Sequence, residues 1–292
     1  MPKRIAVFGS QDTYAAEIAR LLFPDGTFIY TSPPGNQCLE VMTKVRKGDA
    51  DLGIVPFWNT HAENEGVPLS YEDLAKSKLF VCDIPWLHVE LHLASQAGLI
   101  EQIETVYMMR VLERQCSEFI SKMLPKAHLV TDNIANTDVA MDRVMDQKNA
   151  AAVGRESAAK KRNLKILSPK GGIQNPKNYT RFFVLSNSLE VSNFHNNTLI
   201  IARLPNKGGN EEEKFNRLLD NRQTAIIPER KALRGEKVWY IVQVEGRYPD
   251  DKWLQTSVDV LAKEKECDEV RILGSCHWVD PRVLTKCPQY VI

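Results

Sequence analysis

Five consecutive residues, Asn178-Tyr179-Thr180-Arg181-Phe182, combine side chains that could bind and protonate a small acid. Arg181 offers a planar fork of N–H donors that suits a carboxylate. The Thr180 hydroxyl beside it can donate or accept a hydrogen bond. The pair is suited to a small carboxylic acid whose neighbouring group is polar. Because Thr-Arg-Phe also occurs by chance, the alternative is an ordinary strand entry with a surface arginine, and the rest of the chain must decide between them.

The composition is that of a globular protein with room for more than one domain. The chain has 292 residues, of which 43% are hydrophobic and 26% are charged, enough for a sizeable core and two domains. The formal net charge is +1, so no charge excess points to nucleic acid or an anionic membrane as a partner. The expected partner is a small molecule.

Cysteine usage predicts a reducing compartment and no zinc site. The six cysteines form no Cys-x-x-Cys pair, and the six histidines do not cluster with them. A chain of this size needs no disulfide framework. The apolar run Ile5–Phe8 is too short for the core of a signal peptide, and no run approaches the length of a membrane span. These features predict a cytoplasmic protein.

Short apolar runs alternate with amphipathic segments over the first 190 or so residues, which predicts α/β layers with largely parallel sheets. Ligands of such sheets bind in a crevice at the carboxyl ends of the strands. The predicted strands are 5–9, 51–56 (ended by Pro56), 79–83, 91–94, 105–108, 150–154 and 181–185, and the predicted helices are 14–22, 38–47, 112–122, 138–147 and 155–161.

The pattern changes after a polar stretch that begins near residue 193. From there the order is strand, helix, strand, strand, helix, strand, which is the ferredoxin-like βαββαβ arrangement. A boundary near 192 therefore separates a domain at 1–192 from one at 193–292, whose end from 277 onward is expected to be irregular. The six elements are predicted at 198–204, 211–220, 224–228, 237–244, 251–263 and 270–273.

In this order, the motifs of the chain resemble those of the prephenate dehydratase family over nearly its whole length. The carboxy-terminal module is similar to the ACT domain that many of these enzymes carry for phenylalanine feedback, with Val270–Ser275 matching its last strand. The other matching segments are Gly9–Tyr14, Asp49–Thr60, Val106–Cys116, Asn136–Met141, Ala150–Leu167 and Asn178–Phe182.

The resemblance implies a two-lobed α/β domain like that of periplasmic binding proteins, followed by the ACT-like domain. The first lobe would span about 1–80 plus 174–192 and the second about 81–173, with substrate held in the cleft between them. The resemblance implies neither a metal nor an organic cofactor, and it implies a homodimer or homotetramer.

The family reaction converts prephenate to phenylpyruvate, with loss of the ring carboxylate as carbon dioxide and of the ring hydroxyl as water. By resemblance, Thr180 donates the proton to the departing hydroxyl and Arg181 binds a substrate carboxylate. Aromatisation drives the reaction, so the enzyme must mainly orient its substrate and protonate the leaving group. The residues that the resemblance assigns to substrate binding are Thr13, Asn59, Thr60, Gln115, Thr137, Asn178, Arg181 and Phe182.

Several positions of the expected site depart from the family pattern, among them Asp12 and Met109-Arg110, and two are expected to alter the pocket. Trp58 replaces a glutamate and Met108 replaces a serine, so both are expected to alter the pocket. Three functions remain open: a divergent prephenate dehydratase, a prephenate decarboxylase that does not form an aromatic product, and a non-catalytic binder of a small carboxylic acid. Retention of Thr180 favours the first. In the ACT-like module the feedback motifs are replaced at 207–211 and 228–231, which makes a response to phenylalanine doubtful.

Overall fold

The computed structural model describes residues 2–32, 35–61, 69–134, 136–189, 195–205, 215, 219, 222–229, 235–263 and 267–276. Over these residues the chain divides into two compact units. The first unit comprises Met1–Phe57, Val67–Trp86 and Arg181–Ile292, and the second comprises Trp58–Gly66 and Leu87–Thr180.

Helices and strands alternate through both units. The strands are β1 (Arg4–Val7), β2 (Thr27–Tyr30), β3 (Leu52–Asn59), β4 (Phe80–Asp83), β5 (Trp86–His88), β6 (His92–Ser95), β7 (Thr105–Tyr107), β8 (His128–Val130), β9 (Ala150–Gly154), β10 (Lys165–Ile166), β11 (Tyr179–Ser186), β12 (Asn197–Pro205), β13 (Gln223–Pro228), β14 (Lys237–Glu245) and β15 (Glu269–Cys276). The helices are α1 (Tyr14–Leu22), α2 (Gln37–Lys47), α3 (Tyr71–Ser77), α4 (Arg110–Gln115), α5 (Ser117–Met123), α6 (Thr137–Arg143), α7 (Glu156–Lys161) and α8 (Lys252–Lys263), with a 3₁₀ turn at Ile100–Gln102.

The first sheet has the order β2-β1-β3-β11-β4, with β5 also paired to β11. Its β1 strand is parallel to β2 and to β3, whereas β4 is antiparallel to β11. The buried strand β1 leads through a tight turn into α1. Gly9 is required in this turn, because its φ is +80° and an added Cβ would lie 2.6 Å from Thr13 Cγ2.

The second unit is built on the sheet β10-β6-β9-β7-β8, against which α6 and α7 pack a core of small apolar side chains. Here β7 is parallel to β8 and β9, and β6 is antiparallel to β9 and β10. Both α/β sheets are therefore mixed, and the expectation of largely parallel sheets was wrong. In the first sheet the antiparallel pair includes β11, which follows residues of the second unit in the chain. In the second sheet the antiparallel strand is β6, which follows residues of the first unit.

The third sheet, β13-β14-β12-β15, is antiparallel throughout and belongs to the first unit. One face packs on α8 and on Phe215. Most of the helix predicted at 211–220 lies outside the described residues, as do the loop 207–211 and the end of the chain from 277.

Contacts within the first unit join this third sheet to α3 and β4. The Tyr71 amide donates to Glu229 Oε1 at 2.6 Å, and Arg271 Nη2 donates to the carbonyls of Leu74 and Leu79, both at 2.9 Å. Gly274 has φ +146°, and a Cβ there would lie 2.1 Å from the Val81 carbonyl oxygen. The backbone of β15 can approach β4 only because this position is glycine.

The predicted end of a strand at Pro56 was wrong, since β3 continues to Asn59. The pairing between β1 and β3 stops at Val7 and Ile54. Pro56 thus lies beyond the β1 ladder, where the missing N–H removes no ladder bond to β1. The extension carries β3 far enough to deliver Asn59 to the residues around Thr180.

The domain limits predicted from the sequence stay a prediction, as do the two-lobed arrangement and its cleft. The division by compactness groups residues 181–292 with the first unit rather than isolating 193–292. None of the helices in the described ranges is both long enough and apolar enough to traverse a lipid bilayer.

Candidate functional site

The end of β3 and the beginning of β11 bring Asn59 to Thr180. Asn59 is 4% exposed, and its Nδ2 donates to Thr180 Oγ1 and to the Tyr179 carbonyl, both at 3.1 Å. Its Oδ1 accepts from the His61 amide at 2.9 Å, which fixes the orientation of the side-chain amide. A hydroxyl that accepts a hydrogen bond in this way keeps its own hydrogen for donation.

A chain of amide groups starts at Asn59 and continues within the second unit. Asn59 Nδ2 also lies 2.9 Å from Asn178 Oδ1, so its two hydrogens are shared among three acceptors, and Asn178 Nδ2 donates to Gln115 Oε1 at 2.9 Å. Gln115 Nε2 donates in turn to the Val111 carbonyl at 3.3 Å. Asn178 is fully buried and Gln115 is 5% exposed. The donors of this series run from Asn59 through Asn178 and Gln115 to the Val111 carbonyl, which anchors the Asn59 amide whose Nδ2 contacts Thr180 Oγ1.

The prediction of a single helix at 112–122 was wrong, because the helix is interrupted. Gln115, the last residue of α4, lies at this interruption and bonds to Asn178. The break lies at Cys116 (φ −118°, ψ 12°), between α4 and α5. Asn175 occupies the break: its N–H donates to the Gln115 carbonyl at 2.6 Å, and its Nδ2 donates to the Arg114 carbonyl at 2.9 Å. Burial raises the pKa of the Cys116 thiol to about 12, so this cysteine is a core residue.

Asn175 is a site-building residue that the sequence did not single out. Its Oδ1 accepts from the Glu118 amide at 3.2 Å, so one side chain satisfies backbone groups on both sides of the helix break. The Asn175-Pro176 dipeptide was a visible turn signal, but nothing in its spacing indicated a partner some sixty residues earlier.

Thr60 holds the segment before β11 in place. Its hydroxyl donates to the Lys177 carbonyl at 2.9 Å and accepts from the Tyr179 amide at 2.9 Å. His61 Nε2 lies 3.0 Å from the Pro176 carbonyl oxygen. These bonds hold the backbone between Pro176 and Tyr179, and with it the positions of Asn178 and Thr180. In this structure the Thr60 hydroxyl therefore bonds to backbone groups.

Arg181 follows Thr180 in β11, and successive strand residues point to opposite faces. It is 4% exposed, and its Cζ lies 3.8 Å from the centre of the Trp86 ring. Arg181 also lies close enough to Tyr71 to oppose, by its charge, the rise in the Tyr71 pKa that burial and the Glu229 carboxylate produce. Its predicted contact with a substrate carboxylate stays a prediction.

The remaining predicted residues differ in accessibility. Phe182 is 1% exposed and Met108 is fully buried, so in this structure both are core residues beneath the surface. Trp58 is only partly buried, so the indole has not been absorbed into the core. Of the two departures expected to alter the pocket, Trp58 is the one able to change the shape of an accessible surface.

Thr13 and Thr137 both lie at helix starts. Thr13 is the N-cap of α1, where its Oγ1 accepts from the Ala16 amide at 3.3 Å and donates to the Ser10 carbonyl at 2.9 Å. Thr137 is the first residue of α6, whose N-cap is Asn136. Anion binding by either threonine stays a prediction, and the Thr13 hydroxyl also has a structural role as the N-cap of α1.

The described site is rich in uncharged donors and acceptors. The described residues contain no group of three or more His, Cys, Asp or Glu side chains that could hold a metal ion. A cavity of about 280 Å³ lies along α5, lined by residues such as Glu113, Ile120 and Leu129, and none of the predicted site residues lines it. The arrangement around Thr180 can orient a hydroxyl and stabilise charge that develops on its oxygen.

Comparison with known proteins identifies relatives that carry a prephenate dehydratase. The chain is similar to the bifunctional chorismate mutase/prephenate dehydratase of Aquifex aeolicus, with 29% identity over 185 residues that cover 63% of this chain and 48% of the relative. It is 26% identical over 211 residues to the corresponding protein of Pseudomonas aeruginosa, covering 71% of this chain and 55% of the relative. The chain thus spans about half the length of these curated relatives.

Solved structures share the fold at low sequence identity. The prephenate dehydratase of Arthrobacter aurescens, solved in complex with L-Phe, has a TM-score of 0.71 and 21% identity, covering 95% of this chain and 91% of its own. GqqA, described as a quorum-quenching acylase of a novel type, has a TM-score of 0.69 and 20% identity, covering 96% and 100%. The family model for prephenate dehydratase matches residues 5–189. By this match over more than half of its length, the chain belongs to the prephenate dehydratase family.

Proposed function

We propose that this protein converts prephenate to phenylpyruvate by decarboxylative dehydration. The observation that carries the proposal is the 3.1 Å hydrogen bond from Asn59 Nδ2 to Thr180 Oγ1. It leaves the hydroxyl hydrogen for donation and places an N–H dipole on the oxygen that becomes negative when the proton departs. Membership of the family points to prephenate as the substrate. The hydrogen bond between Asn59 and Thr180 supports the proposal that the activity has been retained.

In the proposed reaction, the ring carboxylate leaves as carbon dioxide while the ring C–O bond breaks. The electron pair of the C–C bond enters the ring, and the hydroxyl departs with the proton of Thr180 as water. Solvent then returns a proton to Thr180, so one proton is consumed for each phenylpyruvate formed. Threonine is a weak acid, and the gain of aromaticity together with the Asn59 amide compensates for this weakness.

Asn59, Asn178 and Gln115 are proposed here as positioning residues. Their side-chain polar groups bond to one another and to the backbone, and all three are nearly or fully buried. This assignment differs from direct substrate binding, which the family resemblance implied. Arg181 remains the proposed carboxylate ligand, held against Trp86. Thr13, Thr60 and Thr137 are retained as second candidates for substrate contact, and Phe182 is proposed to pack beneath the site.

The decisive variant is Thr180→Val, which removes the hydroxyl and keeps the branched shape. We expect kcat for phenylpyruvate formation to fall on the order of a hundredfold or more, the usual contribution of a general acid. KM should change little, because the hydroxyl acts mainly in the transition state. Thr180→Ser is the matched control and should retain most of the activity. Equal rates for Val and Ser variants would exclude Thr180 as the acid.

Product analysis of the unaltered protein separates the three functions. Phenylpyruvate formed faster than in the absence of protein supports dehydration. Carbon dioxide with a dihydro-hydroxyphenylpyruvate would instead establish a non-aromatising decarboxylase, for which the altered pocket at Trp58 is the relevant feature. Absence of turnover with saturable binding of prephenate would establish a binding protein.

We further propose that residues 193–292 form an ACT-like module and that the protein is a cytoplasmic homodimer or homotetramer. The antiparallel order β13-β14-β12-β15 with α8 on one face supports the module. Sedimentation of the purified chain would measure the oligomeric state.

A further inference from the structure

A second group of reactive side chains lies in the second unit, outside the proposed dehydratase site. His92 Nδ1 lies 2.9 Å from Ser168 Oγ, and His92 Nε2 lies 3.2 Å from Glu90 Oε1. An ionised carboxylate only accepts hydrogen bonds, so Nε2 carries the proton that faces Glu90. Nδ1 of the neutral ring is then an acceptor for the Ser168 hydroxyl. This is the arrangement of a nucleophile, a general base and an orienting carboxylate.

Backbone pairing fixes His92 and Ser168 relative to one another, and Glu90 lies two residues before His92 in the chain. His92 begins β6, which is paired on one side with Gly154 of β9 and on the other with β10. Beyond β10, the Leu167 amide donates to the Leu93 carbonyl at 2.8 Å, which sets Ser168 beside His92. The site is therefore built on a sheet rather than on surface loops alone, which favours a constant geometry.

The three side chains differ in solvent exposure: the expected base is buried, and the expected nucleophile is partly exposed. The histidine side chain is only 8% exposed and is thus held rigidly, whereas Ser168 is partly exposed and open to a ligand. The Glu90 side chain is 46% exposed, so its attraction for the imidazolium is screened by water. The expected activation of Ser168 is moderate.

We propose that Ser168, His92 and Glu90 form a second catalytic site that transfers acyl groups from activated esters to water. Ser168 Oγ attacks the ester carbonyl carbon while its proton moves to His92 Nδ1. The C–O bond to the leaving group then breaks, and the alcohol departs with that proton. Water, deprotonated by His92, hydrolyses the acyl-serine and releases the carboxylic acid. Glu90 stabilises the imidazolium in both steps and remains ionised.

The neighbouring sequence limits the class of substrate. Pro169 follows Ser168 and has no N–H, so the backbone donor that follows the nucleophile in many serine hydrolases is missing here. With weaker stabilisation of the tetrahedral oxyanion, only a good leaving group departs readily. Aryl esters of short carboxylic acids fit this site, and amides do not.

The test uses the full chain with p-nitrophenyl acetate as substrate and a fluorophosphonate as a covalent label. The unaltered protein should release p-nitrophenol and carry the label on Ser168, located by mass spectrometry of its peptides. Ser168→Ala should abolish labelling at this position. It should also lower the protein-catalysed rate of p-nitrophenol release on the order of a hundredfold or more. Glu90→Gln, which keeps the shape and loses the charge, should lower the rate less.

Two controls make the result decisive. Ser121→Ala removes an exposed hydroxyl of the same unit that donates to the Glu118 carbonyl at 3.1 Å, and it should leave ester hydrolysis unchanged. Prephenate turnover and the thermal unfolding midpoint should be unchanged in Ser168→Ala, because the proposed dehydratase site uses other residues. Ester hydrolysis that is equally fast in Ser168→Ala and the unaltered protein, or label found elsewhere than on Ser168, would overturn the second site.

Discussion

At the scale of single residues, the proposed proton donor of the candidate site is an uncharged hydroxyl, and the side-chain amide of Asn59 donates to it. The sequence predicted that Asn59, Gln115, Asn178 and Thr180 belong to one site, and all four are found together. It could not predict which of their side chains bond to one another. Side-chain amides both donate and accept, so their pairing depends on distances that only the folded chain sets.

Asn178→Ala distinguishes a positioning role from substrate contact. The substitution leaves Gln115 Oε1 buried without its donor and removes one acceptor from Asn59, which should cost about 1–3 kcal/mol of unfolding free energy. Because Asn178 is fully buried, we expect kcat for prephenate to fall more than KM rises. Urea unfolding and steady-state kinetics provide the two measurements.

Asn149→Ala is the matched control for this substitution, since its side chain is exposed in the same unit and both stability and kinetics should be unaltered. A Asn178→Ala variant with a raised KM and an unchanged kcat would instead return Asn178 to the substrate-binding set.

At the scale of elements, local patterns were sufficient where pairing is local and failed where a distant residue intervenes. The strand at 150–154 and the helix at 14–22 were predicted with the bounds observed. The helix predicted at 112–122 contains no local breaker, yet Asn175 interrupts it by satisfying its backbone groups. Pro56 is the converse case. Proline usually interrupts a strand, but Pro56 lies in the part of β3 that extends beyond its pairing with β1.

Arg271 provides the element-scale prediction, because it ties β15 to both ends of the α3–β4 connection. Its Nη2 donates to the Leu74 and Leu79 carbonyls, and burial lowers its pKa to about 10. Arg271→Met keeps much of the volume and leaves two carbonyls without their donor. We expect a loss of about 1–3 kcal/mol in the free energy of unfolding, measured by urea denaturation.

The control for Arg271 is Arg110→Met. Arg110 pairs with Asp132 at 2.8 Å, but the two side chains are 77% and 81% exposed, so the change should be within about 0.5 kcal/mol. Equal effects of the two substitutions would mean that the Arg271 contacts contribute nothing beyond an ordinary surface pair.

At the scale of the molecule, the contacts within the first unit place α3 between the third sheet and the strand that carries Arg181. Tyr71 is 1% exposed, its amide is bound by Glu229 of the third sheet, and its ring is close enough to Arg181 for their charges to interact. A sequence-based division at residue 192 separates these residues, because long-range packing leaves no periodic signal in the chain.

These contacts also bear on phenylalanine feedback, which the sequence makes doubtful. Glu229 lies in the segment 228–231, where the feedback motif expected from the resemblance is replaced, and its Oε1 accepts from the Tyr71 amide, which holds this carboxylate toward α3. We therefore expect no saturable binding of L-Phe in equilibrium dialysis at concentrations up to about 1 mM, a range that would reveal a micromolar site. The prephenate dehydratase of Arthrobacter aurescens, solved with L-Phe, is the positive control under identical conditions. Dialysis measures L-Phe binding even if prephenate is not the substrate, and saturable binding would overturn this expectation.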